Sequence, residues 1–269
     1  MLKKLIKYDL KYGAKIFIVI HALLWIAAIF GRVFFLDRID FDAPAEQLVS
    51  VLVLFFSAFV LLFSVVSLAT ALLIAARFYK NLFTDEGYLT WTLPASPVQQ
   101  LWAKILSGCI WNILDLILLH SAAYFMWISP NVQNAYRMIA AEFTASLGMP
   151  LSKFFLLMVL LSIIGVGSNV LMLYASISIG QLFPAHRLLL SVIVYFIFYM
   201  IIYALSMGAL IIFKLLPGIA LSANTVNEAA SMSTYLTGTF LISLVLSAVM
   251  AVIQYVITHL ILTRKLNLI

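Results

Sequence analysis

The stretch FFLLMVLLSIIGVGSNVLMLYASISIGQLFPAH, residues 154–186, decides the fold because it holds no charged side chain. A helix needs about 20 apolar residues, with a rise of about 1.5 Å each, to cross about 30 Å of hydrocarbon. This stretch is long enough to span a membrane once. An open chain must be helical there, because unpaired backbone groups are too costly in lipid.

Further stretches of the same kind follow along the chain. Residues 48–76, 188–213 and 229–263 are free of charge, and residues 105–136 carry only Asp115. A membrane β-barrel would instead show short segments of alternating polarity. Together with the first apolar run, these stretches predict an all-α polytopic membrane protein of one domain, residues 1–269, with six spans. We place the spans near residues 16–36, 50–76, 101–127, 153–180, 188–213 and 238–262.

Composition excludes most other classes of protein. The chain is 65% hydrophobic and 10% charged, whereas soluble domains are about 45–50% apolar and about 25% charged. A soluble enzyme, a disordered chain and a nucleic-acid-binding domain are therefore not expected. The single cysteine, Cys109, excludes a disulfide within the chain.

The basic residues predict the orientation, since cytosolic loops of membrane proteins carry an excess of Lys and Arg. With the N-terminus inside, five basic residues lie on the outer side: Arg32, Arg38, Arg137, Lys153 and Lys214. Eleven lie on the cytosolic side: Lys3, Lys4, Lys7, Lys11, Lys15, Arg77, Lys80, Lys104, Arg187, Arg264 and Lys265. We therefore expect both termini in the cytosol.

The first fifteen residues, MLKKLIKYDLKYGAK, have the period of a helix. Lys3, Lys7, Lys11 and Lys15 recur every four residues, and leucine and isoleucine mark another face. This pattern predicts a basic amphipathic helix that lies in the inner headgroup layer, with its lysines toward anionic lipid. The alternative is an ordinary basic flank in front of the first span.

The longest cytosolic loop, residues 77–98, is the most distinctive part of the chain. It combines the acidic pair Asp85 and Glu86 with Gly87, Tyr88 and Trp91. A connection between two helices needs only a few residues, and aromatic side chains mixed with charge are typical of docking surfaces. We interpret the loop as a docking site for a partner, with a simple polar turn as the alternative.

The end of this loop contains a helix start signal. Ser96, Pro97 and Gln99 have the order of a capping box with proline at the first helical position. The signal predicts a helix that begins at Ser96 and continues into the third span.

Polar side chains within the spans are few. Asp115 lies about 11 residues, or about 16 Å, beyond Lys104 on the third span, and Asn112 shares its helical face. A carboxylate at this depth is costly and faces the protein interior or water. It is either a residue of a translocation path or a helix-packing hydrogen-bond partner.

Motifs of enzymatic chemistry are absent from the sequence. There is no G-x-S-x-G, no H-E-x-x-H and no Gly-x₄-Gly-Lys phosphate loop. The four histidines, His21, His120, His186 and His259, are scattered and are interpreted as structural or interfacial, not as metal ligands. The chain is not expected to be an enzyme, and any function driven by ATP needs an ATPase from another chain.

The loop sequence DEGYLTWTLPASP, residues 85–97, resembles the loop after the second span in type-two ATP-binding cassette permeases of Gram-positive bacteria. The opening, residues 1–11, and the tail RKLNL, residues 264–268, are similar to the ends of such chains. Trp91 stands where phenylalanine is expected. The resemblance places the chain in a bacterial cytoplasmic membrane.

That resemblance implies a mechanism. Two permease copies, identical or related, would pair with two cytosolic ATPase subunits that hold the ATP and magnesium. The loop helix around residues 85–93 would be a coupling helix inserted into a groove of the ATPase. Asp85 and Glu86 would meet basic groups there, with Tyr88 and Trp91 as apolar anchors, and residues 1–15 would be an elbow helix.

The expected function is the permease subunit of an exporter for a peptide, a lipid or a drug-like amphiphile, with antimicrobial-peptide resistance as one form. The cargo class comes from the family analogy alone. Two other classes stay open. One is a membrane anchor or regulatory module that transports nothing, and the other is an ATP-independent secondary transporter that uses Asp115 for proton coupling.

Overall fold

The computed structural model describes residues 1–41, 44–216 and 232–264. The tail residues 265–268, with Lys265, and the greater part of the outer loop 214–237 lie outside the described residues.

The described residues form eight α-helices and one short 3₁₀ helix, and they contain no β-strand. Six of the helices are long and apolar enough to cross a membrane. The prediction of an all-helical chain with six helices able to span a membrane is therefore confirmed for the described residues. In chain order the helices are α1 (Leu2–Phe34), α2 (Ala45–Phe83), α3 (Asp85–Trp91), α4 (Pro97–Trp127), α5 (Pro130–Leu147), α6 (Leu151–Gly180), α7 (Arg187–Ile212) and α8 (Met232–Arg264).

The N-terminal segment is not a separate element. Helix α1 runs for 33 residues without a break near residue 15, so the predicted boundary between an elbow helix and the first span is corrected. The reason is a continuous buried stripe with steps of four and three residues: Asp9, Gly13, Phe17, His21, Leu24, Ala28 and Gly31. Lys3, Lys7, Lys11 and Lys15 are exposed on the other side of the same helix, and their contact with lipid headgroups stays a prediction.

The predicted cytosolic loop, residues 77–98, is shorter than expected because α2 continues to Phe83. The start of α4 is as predicted. The Ser96 hydroxyl accepts a hydrogen bond from the Gln99 backbone N–H at 3.3 Å, and the Gln99 side chain accepts one from the Ser96 N–H at 3.3 Å. This reciprocal cap satisfies two backbone donors that would otherwise lack partners.

The outer segment 128–150 contains helix α5, which has no buried residue and ends at Gly148 with φ +68°. Two side chains fix its start to the end of α1. The Ser129 hydroxyl donates to Asp37, and the Asn131 amide donates to the carbonyls of Leu36 and Ile39. Helix α5 is therefore held against the predicted outer end of the bundle.

Helices α1 and α4 run parallel and in register. Asp9 pairs with Lys104, His21 with Asp115, and the Arg32 guanidinium donates to the Phe125 carbonyl, with sequence separations of 95, 94 and 93 residues. The constant offset extends over about 34 Å of helix. Polar contacts at three depths thus align these two helices.

Helix α6 is the most enclosed helix near its predicted cytosolic end, where it packs against α2, α4, α7 and α8. Tyr174 lies in this core, stacks on Phe78 with ring centroids 3.9 Å apart, and donates to the Lys104 carbonyl at 2.9 Å. By contrast, α7 buries only Ser191, Phe198 and Leu210 among its 26 residues, as expected for a helix that faces lipid.

The close approach of α4 to α6 yields a prediction about Gly108. A methyl group there would lie 2.8 Å from the Tyr174 hydroxyl and 3.0 Å from Val170 Cγ1. Because Tyr174 is held by its stack and hydrogen bond, overpacking should cost about 1–3 kcal/mol. We expect Gly108→Ala to lower the apparent Tm of the purified protein in detergent.

Gly165→Ala is the matched control, since no atom lies within 4 Å of the added methyl group. Alanine is favoured over glycine inside a helix by about 1 kcal/mol, so this control should keep or raise the Tm. Equal Tm losses in the two variants would contradict the packing described for α4 and α6.

Candidate functional site

The candidate site begins with α3, the short helix of the loop 77–98 that is predicted to be cytosolic. Its inner face carries Gly87 and Thr90, which are buried. The Trp91 indole N–H donates to the Leu82 carbonyl at 3.2 Å, and the buried Gln100 amide donates to the Thr90 carbonyl at 2.9 Å. The helix is thus fixed to the end of α2 and the start of α4.

The structure divides the predicted docking residues between two faces of α3. Asp85, Glu86 and Tyr88 are exposed. Gly87 is buried, and Trp91 is half-buried against the hydrophobic core around Phe78 and Leu101. Trp91 therefore belongs to the internal packing of the loop, which corrects its predicted place on the docking surface.

Sequence reasoning missed one exposed apolar residue of this surface. Leu89 is 73% exposed, more than Tyr88 at 50%. At 100° per residue, Asp85 and Leu89 lie opposite the buried Gly87 and Thr90. We call the exposed set Asp85, Glu86, Tyr88 and Leu89 the α3 face.

A chain of charged side chains connects the α3 face to three other helices. Glu86 accepts a hydrogen bond from Arg77 Nη1 at 3.3 Å, and Arg77 Nε donates to Asp9 Oδ1 at 3.0 Å. The same Asp9 oxygen accepts a hydrogen bond from Lys104 Nζ. The chain therefore joins α3, α2, α1 and α4, and we call it the charge chain.

Burial increases along the charge chain. The Glu86 side chain is 50% exposed and the Arg77 side chain 19%, whereas those of Asp9 and Lys104 are each 5% exposed. Exposed ion pairs contribute about 0–1 kcal/mol. Loss of one partner from a buried pair costs about 3–5 kcal/mol, because the other charge stays buried without compensation.

One aromatic ring, that of Tyr12, packs against Arg77. Its guanidinium carbon lies 4.3 Å from the Tyr12 ring centroid, a distance at which the ring face attracts a cation. Tyr12 follows Asp9 by three residues on α1, so both contacts come from one face of one helix. Contacts with α1 thus orient the Arg77 side chain toward Glu86.

The sequence contained a signal for the charge chain. Asp9 is the only acidic residue among residues 1–36, and it lies within a run of lysines. An isolated acid in a basic segment, together with Lys104 inside a predicted span, indicates a buried ion pair. The pairing itself depends on the register of α1 and α4.

Asp115 lies at a second polar cluster, in the middle of the bundle. One of its oxygens accepts from His21 Nε2 at 2.9 Å and from the Thr70 hydroxyl at 3.2 Å. The other accepts from the Ser67 hydroxyl at 3.2 Å. His21, Thr70 and Asp115 are all buried, so the cluster joins α1, α2 and α4.

His21 also contacts its own helix. Its Nδ1 lies 2.8 Å from the Phe17 carbonyl oxygen, and its Nε2 lies 2.9 Å from Asp115 Oδ1. Both ring nitrogens therefore have a hydrogen-bond partner within the bundle.

Asn112, which shares a helical face with Asp115, does not join this cluster. Its amide donates to the Gly108 carbonyl of its own helix at 3.3 Å. The sequence predicts a structural or interfacial role for His21, and the contact of His21 with Asp115 is consistent with a structural role. The contact itself was not predicted. The geometry favours helix packing as the role of Asp115, as each carboxylate oxygen already has a donor.

No three His, Cys, Asp or Glu side chains meet as a metal site requires within residues 1–41, 44–216 and 232–264. Comparisons with protein-family models, with curated proteins and with solved structures find no match to this chain. The function of the chain is therefore inferred from the geometry above and from the loop sequence.

The charge chain predicts an order of stability effects. Asp9→Asn leaves Lys104 without a carboxylate and leaves Arg77 only the half-exposed Glu86, whereas Lys104→Met leaves Asp9 paired with Arg77. We expect Asp9→Asn to cost more free energy of unfolding than Lys104→Met, by about 1 kcal/mol or more. Unfolding of the purified protein in mixed detergent micelles measures both values.

Lys7→Met is the control for these variants, because Lys7 is exposed on the same helix as Asp9. Its effect should stay within about 0.5 kcal/mol. If Asp9→Asn changed stability no more than Lys7→Met, the buried pairing of Asp9 would be refuted.

The Asp115 cluster predicts a compensating double variant. Asp115→Leu alone leaves His21 Nε2 buried without its partner, and His21→Leu alone leaves Asp115 with only the Ser67 and Thr70 hydroxyls. Replacement of both removes the unpaired groups, and buried ion pairs often tolerate apolar substitution. We expect the double variant to be more stable than either single variant in the same unfolding assay.

Asn112→Leu serves as the control on the same helix and should be nearly neutral, since its amide bonds only within α4. Additive losses in the double variant would contradict a packing role for the Asp115 cluster.

Proposed function

We propose that this chain is the membrane-spanning permease subunit of an ATP-binding cassette exporter whose ATP is hydrolysed by a separate cytosolic subunit. The α3 face carries the proposal. It is an exposed surface of mixed acidic and apolar character on a rigidly fixed helix, at the end of the bundle predicted to be cytosolic. The resemblance of residues 85–97 to permease loops supports the same assignment.

The chemistry of the α3 face suits a basic partner groove. Asp85 and Glu86 offer carboxylates at the N-terminus of α3, and Tyr88 and Leu89 offer apolar side chains beside them. Aromatic side chains at the centre of an interface often carry most of its binding energy. The partner in this proposal is an ATPase whose groove combines basic groups at its rim with an apolar pocket.

Transport requires that the ATPase bind two states of the permease with different affinity. The attachment of α3 to two spans provides a route by which ATPase binding can change the state of the permease. Trp91 and Gln100 join it to α2 and α4, so that a displaced α3 moves the ends of two spans. A second permease copy completes the transporter, and the cargo is an amphiphile such as a peptide or a lipid.

The polar groups of the spans bear on the other candidate functions. The hydrogen bonds of Asp115 to three side chains support a packing role more than proton-coupled transport without ATP. A membrane anchor that transports nothing would use the same α3 face, and the measurement below separates it from a coupled permease.

The proposal predicts loss of coupling when the α3 face is truncated. The assay isolates the ATPase that co-purifies with the tagged full-length chain from native membranes, and compares its turnover with and without the permease in vesicles. We expect Tyr88→Ala with Leu89→Ala to lower the stimulated turnover by about tenfold or more, as loss of an interface centre does.

Ile139→Ala provides the control. Ile139 is 53% exposed on α5, at the opposite end of the bundle, and the substitution should leave turnover unchanged. A partner that co-purifies without any change in its ATPase turnover would support the anchor function instead. Co-purification of no ATPase at all would refute the proposal.

A further inference from the structure

Arg77 occupies a position that the proposed function does not by itself explain. It lies on α2, six residues before the helix ends, yet its hydrogen bonds go to two other helices. One guanidinium nitrogen binds Asp9 of α1 and another binds Glu86 of α3. A planar guanidinium with several fixed donors suits this two-way contact, and the single ammonium of lysine does not.

The two ends of this contact differ in access to water. The Glu86 side chain is half exposed and belongs to the α3 face, where a partner would dock. Asp9 is buried and is also bound by Lys104, so it stays engaged whatever happens to Glu86. The Glu86–Arg77 pair is thus the link that can exchange partners, and the Asp9–Arg77 pair is the fixed link.

No other side-chain hydrogen bond or ion pair joins α3 to α1 within the part of the chain that the structure describes. The remaining polar contacts of α3 go to Leu82 on α2 and to Gln100 on α4. Arg77 is therefore the direct side-chain link between α3 and α1, whereas the contacts at Leu82 and Gln100 reach α1 only through the packing of α2 and α4. Asp9 lies on the long helix that runs in register with α4.

We propose that Arg77 is a positioning residue that ties the α3 face to the N-terminal part of α1. A basic partner group that pairs with Glu86 would displace Arg77 and so release α3 from α1. The partner chemistry in this inference rests on the proposed function. The tie itself is a property of this chain alone. It can therefore be measured without any partner.

The first experiment measures the α1–α3 distance in the free chain. Cys109, the only native cysteine, is replaced by serine, and spin labels are attached at Lys11→Cys on α1 and Thr92→Cys after α3, both exposed positions. Pulsed electron paramagnetic resonance then measures the distribution of distances between the two labels. We expect Arg77→Gln to broaden this distribution by about twofold or more, because α3 loses the direct side-chain tie to α1.

Lys80→Gln is the matched control, because Lys80 is a cation on the same helix, one turn further on, and is exposed. It should leave the distribution unchanged. Arg77→Lys keeps the charge but reaches one carboxylate at a time, so it should give an intermediate width. An unchanged width in Arg77→Gln overturns the proposal.

Glu86→Gln keeps the experiment decisive if Arg77→Gln fails to fold. It removes only the exposed link and leaves the buried Asp9–Lys104 pair intact. We expect it to broaden the distribution as Arg77→Gln does, with an unchanged Tm. A narrow distribution in Glu86→Gln overturns the proposal as well.

The second experiment adds the ATPase that co-purifies with the chain. Arg77→Gln should lower the maximal ATPase stimulation by about fivefold, with an unchanged ATPase concentration at half-maximal stimulation, since coupling free energies of this size are common. If Arg77→Gln instead changed the ATPase concentration at half-maximal stimulation and left the maximal stimulation unchanged, Arg77 would belong to the docking surface. That result would overturn the proposal. If no ATPase is found, the proposed function fails and the distance measurement still tests Arg77.

Discussion

The pairing of charges that a membrane-spanning bundle buries is the constraint on which this structure depends. A charged side chain is expensive in an apolar surrounding unless an opposite charge and hydrogen-bond donors meet it there. Asp9 meets Lys104 and His21 meets Asp115, and both pairs lie between α1 and α4. A shift of one helix along the other by one turn would break both pairs at once, whereas apolar side chains alone would tolerate such a shift more easily.

The position of the α3 face follows from this register. Asp9 is fixed opposite Lys104, and it then holds Arg77, which in turn holds Glu86 on α3. Trp91 and Gln100 attach the same short helix to α2 and α4. A helix of seven residues is too short to be stable by itself, so its orientation comes from these contacts. The face left exposed is the one that carries Asp85, Tyr88 and Leu89.

The spans and the start of α4 could be predicted because they depend on local sequence. Charge-free runs mark the spans, and Ser96 with Gln99 marks a helix start within four residues. The pairs Asp9–Lys104 and His21–Asp115 could not be predicted, as each joins residues about 94 apart whose meeting depends on how α1 packs on α4. Trp91 was misplaced for a similar reason. A seven-residue helix has an inner and an outer face, and only the core around Phe78 decides which one Trp91 occupies. The extent of α1 was missed because the buried stripe through Asp9 and Gly13 is visible only once α4 is beside it.

The gradient of burial along the charge chain explains how one network can both hold the fold and respond to a partner. Loss of a buried partner costs about 3–5 kcal/mol, while an exposed pair contributes about 0–1 kcal/mol. A docking partner can shift an equilibrium only by the difference in its affinity for the two states, and typical coupling energies are about 1–3 kcal/mol. That energy is sufficient to displace Glu86 from Arg77 and insufficient to separate Asp9 from Lys104. Under the proposed function, docking at α3 would change the exposed end of the charge chain and leave the alignment of α1 with α4 intact.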